Sequence, residues 1–272
     1  MAAHHSAMNT GDFGGGSIAM LIHTAVSLFI GQRLDKIVEG IDDAIQRLKD
    51  YNQRAQFGLL ICLRNTCRKL MDRPDDSSGG YPDEVPYGSM LPVVYISFQL
   101  YEAVYLNDIE LAGVLIRKFE KSNPGPVLPV MHNYFVFYKA IVTAASSGPR
   151  SLIRQWQARK LLQYLERAML RCPENYTNKV FLVKAEIAAS RGCLEEAGMQ
   201  YDRSIHYAAK DKFPNEQALA CERAATMYVT FGLPLEAAIY YSQAIKLYKQ
   251  WGAEVKVKQL EEIMKEKHIA VC

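Results

Sequence analysis

The chain has 272 residues, 49% of them hydrophobic and 22% charged, with a net charge of +3. That apolar content excludes intrinsic disorder, and 32 basic residues against 29 acidic ones leave no surplus for a dedicated nucleic-acid binder. A chain of this length buries enough surface to fold without a disulfide or a structural metal.

Residues 1–16 end in Gly14-Gly15-Gly16 and are expected to form a flexible lead, with Ser17 capping the first helix. The apolar run from Ile18 to Ile30 is interrupted by His23 and Thr24 and is too short to span a bilayer. From Leu34, the apolar positions Leu34, Ile37, Val38, Ile41, Ile45 and Leu48 recur every three or four residues, which predicts one amphipathic helix. Residues 53–71 carry Leu59, Leu60, Leu63 and Leu70 in a second such run. Residues 73–90 are rich in proline, glycine and acids and predict a long loop. Helices are expected at 91–106 and 109–121, the latter stopped by Asn123-Pro124-Gly125-Pro126, because proline cannot continue the hydrogen-bond ladder. Further helices are expected at 129–146, 150–171, 176–190, 194–210, 215–230, 235–250 and 253–267, before a tail at 268–272. No stretch alternates with period two over a useful length, so the expected fold is all-α, with one helical domain over 17–267.

The strongest organising signal is an internal repeat. A shift of 40 residues places Phe181, Ala185, Ala188, Gly192, Ala197, Tyr201, Ser204 and Ile205 on Cys221, Ala225, Tyr228, Gly232, Ala237, Tyr241, Ala244 and Ile245. Small residues suit the contact between two helices, tyrosine fills the wedge between hairpins and glycine makes the turn. Ala103, Asn107, Ala112 and Ile116 repeat the pattern more weakly upstream. These spacings resemble the tetratricopeptide pattern and predict a tetratricopeptide-like α-solenoid, a right-handed array of about six antiparallel helix pairs. In such an array the first helix of each pair lines a concave groove. That nominates Lys179, Leu182, Glu186 and Ala189, then Leu219, Glu222, Thr226 and Val229, as a candidate protein-binding surface.

Motifs for catalysis or cofactor binding do not emerge. A P-loop requires a Gly-Lys dipeptide, and the sequence has none. Asp12-Phe13-Gly14 spells a kinase tripeptide with no catalytic loop before it. None of the six histidines lies in H-E-x-x-H, and the acids Asp75, Asp76, Asp83 and Glu84 lack calcium-loop spacing. His132 and His206 are expected to be structural, and Lys256, Lys258, Lys265 and Lys267 alternate with glutamates as on a solvated helix face. The six cysteines show no C-x-x-C spacing, which favours a reducing, cytoplasmic setting. The expectation is no catalytic residue, no metal and no cofactor.

Several segments carry a more specific likeness. They are Asn215-Glu216-Gln217-Ala218-Leu219-Ala220-Cys221-Glu222-Arg223-Ala224-Ala225, then Tyr240-Tyr241, then Trp251-Gly252-Ala253-Glu254-Val255-Lys256-Val257-Lys258. Upstream, Gly11-Asp12, Phe29-Ile30-Gly31-Gln32-Arg33-Leu34 and His132-Asn133-Tyr134-Phe135-Val136-Phe137-Tyr138 join them. Together they resemble the tetratricopeptide-like helical region of large multidomain signalling proteins. In that family the region follows an AAA-type ATPase domain and precedes GAF and histidine-kinase domains, often behind an N-terminal serine/threonine-kinase-like domain. The likeness covers about residues 11–262 and departs in the loop at 73–90. The chain contains none of the flanking catalytic domains, so the resemblance implies the scaffold alone.

The expected function is therefore a non-enzymatic scaffold that contacts a protein partner or adjacent domains in a two-component-type ATPase/kinase system. Neither nucleic acid nor a membrane span is expected. Alternatives are an obligate structural subunit of an assembly, or an enzyme whose active-site residues are dispersed through the sequence.

Overall fold

The computed structural model describes residues 13–48, 54–73, 91–122, 129–146 and 151–269. Its first six helices are α1 (Phe13–Phe29), α2 (Leu34–Leu48), α3 (Arg54–Leu70), α4 (Leu91–Tyr105), α5 (Ile109–Lys121) and α6 (Pro129–Ala145). The other six are α7 (Ser151–Met169), α8 (Pro173–Ser190), α9 (Leu194–Lys210), α10 (Pro214–Thr230), α11 (Pro234–Trp251) and α12 (Glu254–Glu266). Every regular element among the described residues is a helix, and each packs on its sequence neighbours, as an α-solenoid requires. No described helix is long and apolar enough to cross a membrane.

Helix starts follow local chemistry. Pro173, Pro214 and Pro234 stand in the first turns of α8, α10 and α11, where the missing N–H would have no partner in any case. For this reason α8 begins three residues before the expected 176. Asp108 caps α5, its carboxylate accepting the Leu111 amide at 2.9 Å. The expected start at Ser17 is corrected: α1 begins at Phe13 and its first turn takes in Gly14 to Gly16, with Gly16 buried. Residues 1–12 of the expected lead, and most of the expected 73–90 loop, lie outside the described residues.

Helix ends share one design. At Asn107, Gly192 and Gly232 the backbone turns left-handed, with φ of 57°, 78° and 73°. In each case the next residue's amide bonds five residues back: Asp108 to Ala103, Cys193 to Ala188 and Leu233 to Tyr228. This closure satisfies the carbonyls that a helix end leaves open. The three positions are the repeat's turn residues, and asparagine is among the few side chains that tolerate this backbone region. At the C-terminal end Ile269 does the same towards Met264 and is buried, so the expected tail begins with an ordered helix closure.

Helices α4, α6, α8 and α10 touch one another as well as their sequence neighbours and form an inner layer, leaving α5, α7, α9 and α11 outside. The repeat residues do what their sizes suggested. Ala185, Ala225, Ala197 and Ala237 are fully buried at helix contacts, and Tyr201 and Tyr241 fill wedges.

The inner face is occupied by the chain's own N-terminal part. The Asn215 amide at the start of α10 donates to the carbonyls of Leu28 (3.4 Å) and Phe29 (3.2 Å) at the end of α1. Trp251 Nε1 donates to the Gln32 carbonyl at 3.1 Å, and Gln259 Nε2 of α12 donates to the Leu106 carbonyl at 3.2 Å. α12 also packs on α3. Between these ties lies an aromatic core: Phe29 stacks on Tyr134 at 4.1 Å, and Tyr105 lies 4.6 Å from Tyr101 and 5.1 Å from Trp251.

Candidate interaction surfaces

Three ion pairs join α10 to its neighbours α8 and α12. Lys179 of α8 meets Glu216 at 2.7 Å, with Asn178 on the same carboxylate oxygen. Glu186 of α8 receives Arg223 through two bonds of 2.7 Å, and Tyr201 at 2.9 Å. Glu222 receives Lys256 of α12 at 2.7 Å on one oxygen and Tyr248 at 2.7 Å on the other. Taking these charges out of water is costly, and the multiple bonds on each carboxylate offset that cost. Burial lowers the Lys179 pKa, while Glu216 beside it acts in the opposite direction. Its ammonium also lies 4.6 Å from the Phe213 ring centre and 5.0 Å from that of Tyr134, aromatic faces that favour a cation. Burial opposes the Arg223 charge too, but the Glu186 carboxylate outweighs it and raises the pKa.

The nominated groove residues are thereby relocated. Lys179, Leu182, Glu186, Leu219 and Glu222 are all buried and belong to the seam between helices, so they do not line an open trough. The charged members are covered by partners on neighbouring helices: Lys179 lies against Glu216, Phe213 and Tyr134, Glu186 against Arg223 and Tyr201, and Glu222 against Lys256 and Tyr248. Ala189, Thr226 and Val229 of the set are half-buried. Glu186, Ala189 and Thr226 do converge on the part of the inner face that stays open. This is a cleft of about 470 Å³ in which Arg223 also reaches Asn107 Oδ1 at 3.2 Å. The one carboxylate in that cleft is already held by Arg223 and Tyr201.

Lys256 is a further correction. Expected on a solvated face, it is 0% exposed. Lys258, Lys265 and Lys267 of the same run are exposed, and Lys258 pairs with Asp72. The histidines expected to be structural, His132 and His206, are exposed and lie edge-on to Tyr164 and Tyr207.

Comparison with known proteins leaves the family open. No protein-family model matches the chain, and no curated protein matches it significantly. What the structure adds is the place of the segments that carry the likeness described above. Phe29 and Gly31, Tyr134 and Tyr138, Asn215 to Arg223, and Trp251 to Val257 are distant in sequence, yet all meet at the seam between α1, α6, α10 and α12. Gly252 closes α11 with φ of 90° close against Leu34, and Lys256 continues the same run into the Glu222 pair. These residues therefore have structural tasks.

The open chemistry lies on the outer layer. On α7, Leu152 is 79% exposed, Trp156 58% and Ile153 55%, and Leu170 follows just beyond the helix at 81%. Among the described side chains of α7 only Ala158 and Leu165 are buried. On α11, Leu235 and Ile239 are exposed one helical turn apart, and Met199 on α9 occupies the position equivalent to Ile239 in the repeat. Sequence reasoning named no residue of this surface, because it followed the contact and turn positions of the repeat. The signal was present in α7, whose apolar residues spread around the helix rather than along one stripe.

Proposed function

We propose that the chain is a non-enzymatic helical-repeat scaffold that holds protein partners or adjacent domains in a two-component-type ATPase/kinase signalling system. The observation that carries this reading is the exposure of large apolar side chains on the outer helices of an array whose inner face is filled except at one cleft. Such side chains, left in water by a fold that buries its other apolar residues, are characteristic of protein contact surfaces. The signalling context rests on the resemblance of the seam-forming segments. Their convergence supports it, since a helical region of one architecture needs those residues together.

Cross-linking mass spectrometry on the full chain in its own cells tests the proposal. The expected result is cross-links from the outer helices to polypeptides carrying ATPase, GAF or histidine-kinase domains. Cross-links solely between copies of this chain would overturn it in favour of an obligate subunit. Cross-links confined to proteins without such domains would overturn the signalling assignment.

A further inference from the structure

The surplus positive charge of this protein is concentrated on the same helix as its exposed apolar residues. Residues 151–171, spanning α7 and the turn after it, contain Arg154, Arg159, Lys160, Arg167 and Arg171 against a single acid, Glu166. That surplus of four exceeds the +3 of the whole chain, so the remainder is close to neutral. Glu166 is itself paired with Lys184 at 2.9 Å.

Helix α7 also forms one wall of a cleft. It is an outer helix, as is α5, and between them opens a space of about 470 Å³. Apolar side chains reach it from three helices, Ile116 of α5, Val142 of α6 and Leu161 of α7. Its sides carry Arg117, Lys139, Arg154 and Lys160 against one carboxylate, Glu120, which Lys139 holds at 2.5 Å. Trp156 stands on the α7 side, with the Lys160 ammonium 5.5 Å from its ring centre.

We propose that the cleft between α5 and α7 is a docking site for an acidic amphipathic helix of a partner protein. The reading rests on the scaffold function proposed above and gives it a surface and a partner chemistry. A furrow between two outer helices suits a third helix, whose apolar stripe meets Trp156 and the cleft floor while its carboxylates meet Arg117 and Lys160. The charge excess selects acidic flanks and rejects basic ones. An anionic bilayer shares the charge but is locally flat and does not reach the recessed Ile116 and Val142, which are both buried. Nucleic acid shares the charge but offers no apolar stripe to Ile116, Val142 and Leu161 of the cleft.

The test uses the full chain and a labelled peptide of about five helical turns (~18 residues), with leucine at three- and four-residue spacing and glutamate on the other face. A matched peptide carries lysine in place of glutamate, and phosphatidylserine/phosphatidylcholine vesicles form a third arm. The expected result is saturable binding of the acidic peptide in the micromolar range, weakened roughly tenfold or more between about 0.05 and 0.5 M salt. Trp156 emission should shift to the blue as the peptide seats, with Trp251, already buried, as the unmoved background. The double variant Arg117→Glu/Lys160→Glu and the single variant Trp156→Ala should each lose about tenfold or more in affinity, while Leu235→Ala/Ile239→Ala on α11 should not. Circular dichroism checks that each variant remains folded.

Absence of saturable acidic-peptide binding, equal binding of the lysine peptide, or indifference to the α5/α7 variants would overturn the proposal. So would vesicle binding through Trp156 without peptide binding. Each of those results leaves the scaffold reading intact if cross-links to signalling proteins map to another outer helix, whereas loss of those cross-links strikes the scaffold reading itself.

Discussion

Lys256 shows how a single residue acts in this molecule. Its ammonium sits without solvent contact between Glu222 and Gln259, at 2.7 and 2.6 Å. Lys256→Met leaves Glu222 buried with Tyr248 as its remaining partner, and removal of one member of a buried pair costs about 3–5 kcal/mol. Glu222→Gln should cost a similar amount. The double variant should cost clearly less than the sum, and chemical denaturation of all four proteins measures the coupling. Tyrosine burial makes a second prediction. Tyr101, Tyr105, Tyr138, Tyr201 and Tyr248 are almost fully buried, and burial pushes each hydroxyl well above its ordinary value. The folded chain keeps these protons while unfolded tyrosine ionises near pH ~10. Stability is therefore undiminished by these groups below that pH and falls as pH rises beyond it, by up to about 1.4 kcal/mol per pH unit for each. Buried Lys179, whose pKa is lowered, works the other way with one proton. The five tyrosines outnumber it, so their tyrosinate absorbance and loss of helical circular dichroism should appear together in one steep alkaline transition. Exposed tyrosines ionise before that transition, and ionisation of the five buried ones with the helices intact would count against this packing.

At the scale of elements, the closure between α1 and α2 is the most constrained. Gly31 has φ of 74°, and a Cβ there would lie 3.0 Å from the Asn215 backbone nitrogen and in collision with the Asn215 side chain. Gly31→Ala should therefore destabilise by about 1 kcal/mol for the left-handed backbone, and by more for the collision. Asn215→Ala removes bonds to the end of α1 and should cost about 1–3 kcal/mol. In that background Gly31→Ala should cost less than in the native chain, because the colliding side chain is gone. Thermal unfolding of the four proteins reads both effects. The element level was also where the sequence was most legible. Turn glycines at 192 and 232, wedge tyrosines at 201 and 241 and contact alanines are local requirements of a helix pair, and periodicity reports them directly. The groove was not legible. Lys179 and Glu222 look like solvated residues until Glu216 and Lys256, 37 and 34 residues away in sequence, are packed against them. Lys256 was misread for the same reason, since nothing within its own helix shows that Glu222 of α10 awaits it.

For the molecule as a whole, the ties from Asn215, Trp251 and Gln259 back to residues 28–32 and 106 change how the array should unfold. An open array, in which each repeat meets only its neighbours, loses terminal helices first. Here α12 is pinned to α10 by an ion pair and packed on α3, so the two ends of the chain share contacts. Native-state hydrogen exchange should then show α4, α10 and α12 opening with similar free energy, and Gly31→Ala should lower protection in α10 as well as in α1. Independent fraying of α12 would contradict the closure. Whole-chain composition hid the outer surface in the same way that it hid the seam. A net charge of +3 averages a strongly cationic α7 with a nearly neutral remainder, and the apolar percentage does not distinguish Leu152 in water from Leu182 in the core.

The ion-paired seam also bears on how this sequence is free to diverge. Glu216, Glu222 and Arg223 lie within two turns of one helix, and each is matched to a charge on another helix. A change at any one of them strands its partner, so descent through single substitutions is blocked unless the partner changes nearly at once. Across relatives, these positions are expected to vary as linked pairs or not at all, while exposed positions such as Glu262 and Lys265 drift independently. A lineage that exchanged Lys179 and Glu216 together would preserve the architecture, and one that exchanged either alone would be rare.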